Sequence, residues 1–189
     1  MFSLDPRMVV SSNIGWQQLR TGHPTVQRLF LGLVLPFSLI PAIMLLYAGY
    51  SHGQTLVPGS VLSQWEIAAA VFLLAELITV PLMARLLRDV LGDGAAFSDC
   101  YALAAYAAIP LWLSSLGLFS SSLPLVMTIA AFGLIAAFTT LFHGLTAFFG
   151  PREDEVTSQY HAYLVLAAGA CGWLLLVAFL ALMLGIIPW

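Results

Sequence analysis

The sequence predicts an all-α polytopic membrane protein, a bundle of five transmembrane helices with the N-terminus cytoplasmic and the C-terminus outside. Three observations predict it. The chain of 189 residues is 61% hydrophobic and only 8% charged, against about 25% charged in an average soluble domain. It contains five long apolar stretches, separated by polar segments. And its six basic residues, all Arg, fall on one side of a membrane when all five stretches span it. With so few basic residues, nucleic-acid binding is excluded.

Residues 1–28 are read as a cytoplasmic N-terminal segment. Asp5-Pro6 has the form of a helix cap followed by a first-turn proline. Met8, Val9, Ile14, Trp16 and Leu19 give an amphipathic pattern suited to a short helix lying on the membrane surface, which Gly15 and Gly22 weaken. No apolar h-region precedes the first long stretch, so that stretch is expected to act as an uncleaved signal anchor.

Residues 29–189 are read as one transmembrane domain, with helices at about 29–50, 66–88, 100–119, 123–149 and 162–187. Leu29–Tyr50 has no charge, Ile67–Ala84 has one carboxylate, and Cys100–Phe119 has none. Leu123–Gly150 contains one His, and Ala162–Trp189 no charge. Each meets the roughly 17–25 residues a span requires, and none shows the period-two alternation of barrel strands. Ser120–Ser122 is short enough to force an antiparallel hairpin, and Gly150-Pro151 is a helix stop.

Arg7, Arg20 and Arg28 precede the first helix, Arg85 and Arg88 follow the second, and Arg152 follows the fourth. The positive-inside rule makes their side cytoplasmic and gives an expected location as a multi-pass inner-membrane protein. Pro36, Pro41, Pro81 and Pro110 fall inside helices, where each removes a backbone hydrogen bond. Gly133-x-x-x-Ala137 and Ala168-x-x-x-Gly172 are candidate close-packing faces. Trp65, Trp112 and Trp189 are candidates for the interfacial belt, whereas Trp173 lies too deep for it. Cys100 is expected at a membrane end and reachable from the cytoplasm, and Cys171 deep among apolar neighbours; at unequal depths they are not expected to pair.

Glu76 is the sharpest single feature. A carboxylate at the bilayer centre costs roughly 2.5–3.5 kcal/mol on insertion scales, so it marks either an ion or proton site or a protonated, hydrogen-bonded packing residue. His143 lies at similar depth, since each is eight or nine residues from the cytoplasmic edge, about 12–14 Å. Thr79 follows Glu76 by three positions and Thr140 precedes His143 by three. The four residues Glu76, Thr79, Thr140 and His143 form a candidate intramembrane polar site. No H-E-x-x-H, G-x-S-x-G, S-x-x-K or P-loop occurs, and no Lys exists for Schiff-base chemistry. Asp89, Asp93 and Asp99, and Glu153, Asp154 and Glu155, are read as solvated acidic loops. No catalytic residue, cofactor or metal site is therefore assigned.

At the third helix, Ala96-Phe97-Ser98-Asp99-Cys100-Tyr101 leads into Ala104-Ala105-Tyr106-Ala107-Ala108-Ile109-Pro110-Leu111-Trp112-Leu113. This run resembles the Tyr-to-Pro segment of the Yip1 family, especially its bacterial branch. The segment from Trp16 to His23-Pro24 and the loop Phe149-Gly150-Pro151-Arg152-Glu153-Asp154-Glu155 are similar to the family's corresponding segments. The resemblance implies five spans and a cytoplasmic N-terminus. Eukaryotic members are trafficking factors that bind Rab GTPases and one another, but their Asp-Leu-Tyr-Gly-Pro motif and long N-terminal domain are absent here, so Rab binding is not carried over. Two functional readings stand. One is a non-enzymatic protein acting by protein or lipid contacts within the membrane, with lipids, other membrane proteins or further copies of itself as partners. The other is a small oligomeric transporter or channel using Glu76 and His143.

Overall fold

In a computed structural model, residues 24–92, 95–149 and 156–185 are described. They form five long helices and, among the described residues, no strand. We label these α1 (Val26–Leu56), α2 (Leu62–Leu91), α3 (Phe97–Phe119), α4 (Leu123–Phe149) and α5 (Val156–Met183). All five carry windows long and apolar enough to cross a membrane. A helix meets its own backbone hydrogen-bonding needs, which is what the hydrocarbon core demands of any single segment.

Three of the helices outrun their apolar stretches. α1 begins at Val26 and continues through Ser51, His52 and Gln54 to Leu56, and α2 begins at Leu62 and ends at Leu91. Polar residues extend a helix past the hydrocarbon without ending it, so hydropathy alone understates the length. α3 likewise begins at Phe97 rather than 100. α5 is shifted: it begins at Val156 and ends at Met183, short of the expected 187, with Gly185 at φ 78° just beyond. The surface helix expected before residue 24 and the Gly150-Pro151 stop lie outside the described residues.

The prolines act locally. Phe30–Val34 forms a π-helical turn immediately before Pro36. A proline ring crowds the carbonyl four residues earlier, and widening the turn relieves that contact. A second irregularity sits at His52, whose φ of -154° breaks the helical course of α1. There its ring nitrogen Nε2 lies 3.0 Å from the carbonyl oxygen of Leu118 at the end of α3.

α2 and α3 are central. α1 packs on α2 and on the end of α3, α4 packs on α3, and α5 packs on α2 while touching α4 only slightly. The α1–α2 hairpin closes through Trp65, which fills the space left by Gly49 and Gly53: a Cβ on Gly49 would stand 2.6 Å from that of Trp65. Trp65 is buried, and its indole N–H donates to Ser60 Oγ at 3.1 Å. It is thus a packing residue of the hairpin, turned inward against α1. The turn itself needs Gly59, at φ 85°, and is braced by the Gln54 side chain, which accepts from Gly59 N at 3.0 Å and donates to the Ser60 carbonyl. Gln64 caps the start of α2 by accepting from Val61 N and also donates to the Met183 carbonyl at 3.2 Å, tying the end of α5 to this turn.

Small-residue contacts are only partly where the motif places them. Gly133 is pressed against α3, since a Cβ there would meet Ser114 Cβ at 2.5 Å and the Pro110 carbonyl at 3.0 Å. Ala137, one turn on, is buried. In α5, however, Gly172 faces open space, and Gly169 makes the close contact, on Met83 of α2. The cysteines also differ from expectation. Cys100 is fully buried, and Cys171 is exposed on the outside of the bundle. The two thiols are free.

Candidate functional site

α2 carries a buried stripe at helical spacing: Trp65, Ala68, Ala69, Phe72, Glu76, Val80, Ala84 and Leu87. The residues up to Phe72 belong to one apolar cluster and those from Val80 onward to another. Glu76, only 5% exposed, stands on the same stripe at the junction of the two. The periodicity that turns its neighbours inward turns the carboxyl inward too.

The partner it meets is Trp112. The Trp112 indole N–H donates to Glu76 Oε2 at 3.0 Å in the bundle interior. Trp112 is completely buried, and its ring also packs against Phe37 of α1 with centroids 6.3 Å apart. One side chain of α3 therefore knits α1, α2 and α3. α3 can present such a group because it is covered almost all round: Cys100 through Ala107, Ile109, Pro110, Trp112 and Ser114 are all buried. Trp112 is an interior residue, contrary to the interfacial position its aromatic character implies.

The remaining candidate polar residues turn back on their own helices. Thr79 Oγ1 donates to the Ala75 carbonyl at 2.7 Å. Thr140 Oγ1 donates to the Ala136 carbonyl at 2.8 Å. The half-buried His143 places Nδ1 2.8 Å from the Thr139 carbonyl, and its ring lies against Phe142. Among the described residues the structure gives no hydrogen bond between Glu76 and His143. They line neighbouring cavities that share Phe138 and Leu141.

Beside Glu76 lies a cavity of about 80 Å³ between α2, α3, α4 and α5. Apart from Glu76 and Thr79, its lining side chains are chiefly hydrocarbon, sulfur and the ring of Trp173: Val80, Met83, Leu111, Leu134, Ala137 and similar residues. Trp173 Nε1 is buried and finds no hydrogen-bond partner among the described residues. Trp112 and Trp173 are thus the site residues that sequence reasoning missed. The depth of Trp173, too great for a belt residue, was the available signal. Among the described residues no cluster of three His, Cys, Asp or Glu is placed to hold a metal ion. Asp93 and residues 153–155 lie outside that description.

The arrangement offers one carboxyl, already bound by the Trp112 indole N–H, in an apolar enclosure. It has no nucleophile–base pair. Comparison with known proteins gives one match. A family profile described as the Yip1 domain matches residues 7–176, nearly the whole chain. No curated protein and no solved structure matches.

Proposed function

The chain belongs to the Yip1 family, and from that premise we propose that this multi-pass membrane protein works without catalysis, through protein and lipid contacts inside the membrane. The Glu76–Trp112 hydrogen bond carries the reading. A carboxyl that couples ions needs a polar path to water. Here the carboxyl is bound to an interior tryptophan, and the hydroxyls of Thr79 and Thr140 and the imidazole of His143 are each bonded to carbonyls of their own helices. Its cavity is walled chiefly by apolar groups. Such a site supports a packing and contact role. The same proposal places the protein in a bacterial inner membrane with a cytoplasmic N-terminus, supported by the arginine distribution.

The test is ion flux. Purified protein reconstituted into liposomes with an internal pH or potassium reporter is expected to leak no faster than empty liposomes, and Glu76→Gln is expected to fold and behave identically. A flux above the empty control that disappears in Glu76→Gln would overturn the proposal in favour of a transporter.

A further inference from the structure

At the end of the bundle away from the 57–61 turn, Arg28 stands in the first turn of α1, and Arg85 and Arg88 in the last turns of α2. Their chain neighbours Leu29, Ala84 and Leu87 belong to one buried cluster, together with Cys100 and Tyr101 at the start of α3. The arginines are thus the exposed residues around one end of a common core. The register agrees. Arg28 lies twenty-eight positions before Leu56, the end of α1, and Arg88 twenty-six after Leu62, the start of α2. In an antiparallel pair joined by one turn, those counts put the two within about 3 Å of the same depth. Arg85 sits about one turn deeper.

These side chains make no hydrogen bond or ion pair among the described residues. Two carboxylates stand near, Asp89 four positions after Arg85 and Asp99 in the first turn of α3. Three arginines against two carboxylates leave these helix ends net positive. A guanidinium presents paired N–H donors that match two oxygens of a phosphate. Below the arginines both helices expose hydrocarbon on the same faces. Leu31 and Leu39 follow Arg28 by three and eleven positions and are 56% and 37% exposed. Ile78 and Leu74 precede Arg85 by seven and eleven and are 63% and 61% exposed. Those spacings return to one face of a helix. A positive rim above an apolar face complements a molecule with an anionic head and hydrocarbon tails. A water-soluble anion would match the arginines and gain nothing from the apolar face. Basic groups between transmembrane helices at the membrane boundary are a setting in which acidic lipid headgroups bind.

We propose that the arginine-bearing end of α1 and α2 is a binding site for an anionic phospholipid, its phosphodiester held by Arg28 and Arg88 with Arg85 one turn below, and its chains lying along Leu31 and Ile78. The proposal names a ligand class for the lipid contacts of the preceding reading and rests on it.

The test is native mass spectrometry of the detergent-solubilised full chain titrated with phosphatidylglycerol or with phosphatidylcholine of the same acyl chains. Phosphatidylglycerol should bind more tightly. Arg28→Gln and Arg88→Gln should each weaken it about fivefold, the fold-change expected for one basic residue at a membrane surface, and leave phosphatidylcholine unchanged. Arg88→Lys, which keeps the charge and loses the paired donors, should give a smaller loss. Arg152→Gln removes the same charge from another segment and should change neither lipid. Excess glycerol 3-phosphate, a headgroup without chains, should not displace the lipid. That competition and the preference between the two lipids use the parent protein, so they decide the matter should a variant fail to fold. Equal binding of the two lipids, displacement by glycerol 3-phosphate, equal losses in Arg152→Gln, or indifference to Arg28→Gln and Arg88→Gln would overturn the proposal. If the lipid site fails while liposomes remain ion-tight, the non-catalytic contact reading stands without it. A Glu76-dependent flux would remove that reading whatever the lipid binding.

Discussion

The Trp112 indole N–H and Glu76 Oε2, 3.0 Å apart, belong to residues symmetrically placed about one turn. Glu76 lies fifteen positions before Leu91, the end of α2, and Trp112 fifteen positions after Phe97, the start of α3. In an antiparallel helix pair, equal counts from the shared turn place two residues at the same depth. The contact thus follows from register, with the inward stripe of α2 supplying the direction.

This bond should be measurable as a coupling. Trp112→Phe removes the donor and Glu76→Leu the acceptor. Each is expected to destabilise the protein, and the double variant by less than their sum. The coupling energy should fall at about 0.6–1.7 kcal/mol, the average-to-maximum range for hydrogen bonds inside membrane bundles. Unfolding in mixed micelles, followed by circular dichroism, gives the four stabilities. Glu76→Gln retains an acceptor for the indole and should remain close to the parent protein. A coupling indistinguishable from zero would mean that the bond does not hold the helices together.

The small-residue contacts give a second prediction. A methyl added at Gly133 meets Ser114 Cβ and a backbone carbonyl of α3, neither of which can swing aside. Gly133→Ala is therefore expected to cost about 1–3 kcal/mol, the usual range for overpacking. Gly172→Ala enters open space and should be neutral or slightly stabilising, because glycine is the poorer helix former. Thermal unfolding of the two variants in the same detergent separates them. Equal losses would restore Ala168-x-x-x-Gly172 as a packing face.

The contrast between these positions shows what could be read from the chain. Helix number and order were legible because apolar stretches and turn residues report on the solvent, and a bilayer is a demanding one. The inward direction of Glu76 was legible in principle, since Phe72, Glu76, Val80 and Ala84 repeat every four residues. Its partner is not legible from depth below the arginine-bearing edge, which pairs Glu76 with His143, and the residue type of Trp112 points to an interface rather than to the interior. Counting from the turn between α2 and α3 would have brought the two together. Gly169 was passed over for Gly172 because sequence spacing marks a helix face without saying which neighbour approaches it. The cavity beside Glu76 was beyond sequence altogether, since it depends on α5 packing on α2 while touching α4 only slightly.

The thiols supply a third prediction. Cys100 is covered by protein and Cys171 faces outward within a span. A charged, water-soluble maleimide should modify neither in native membranes, even when both membrane faces are accessible. Unfolding in SDS should expose the two together. Single-cysteine variants read by mass shift distinguish the sites. Rapid native labelling of Cys100 would show that the start of α3 opens to water, and rapid labelling of Cys171 would show water along α5.

The last prediction is topological. Arg28 lies in the first turns of α1, and Arg85 and Arg88 in the last turns of α2, so these three exposed arginines stand at one end of the bundle. Arg7, Arg20 and Arg152 fall on the same side by chain order, while the segments on the opposite side contain none. Orientation follows arginine and lysine counts in short loops, and this chain has no Lys to dilute the count. A reporter active only outside the cytoplasm should therefore work when fused after Trp189, and a cytoplasm-only reporter should work when fused before Met1. The bias also predicts how the orientation can be disturbed. Placing four arginines in the 57–61 turn while replacing Arg85 and Arg88 with Gln should yield molecules with mixed reporter activity. The same arginines added beside Arg152 should leave the pattern unchanged. A C-terminal reporter active only in the cytoplasm of the parent protein would show either that one of the five helices fails to cross or that the arginine asymmetry does not set the orientation.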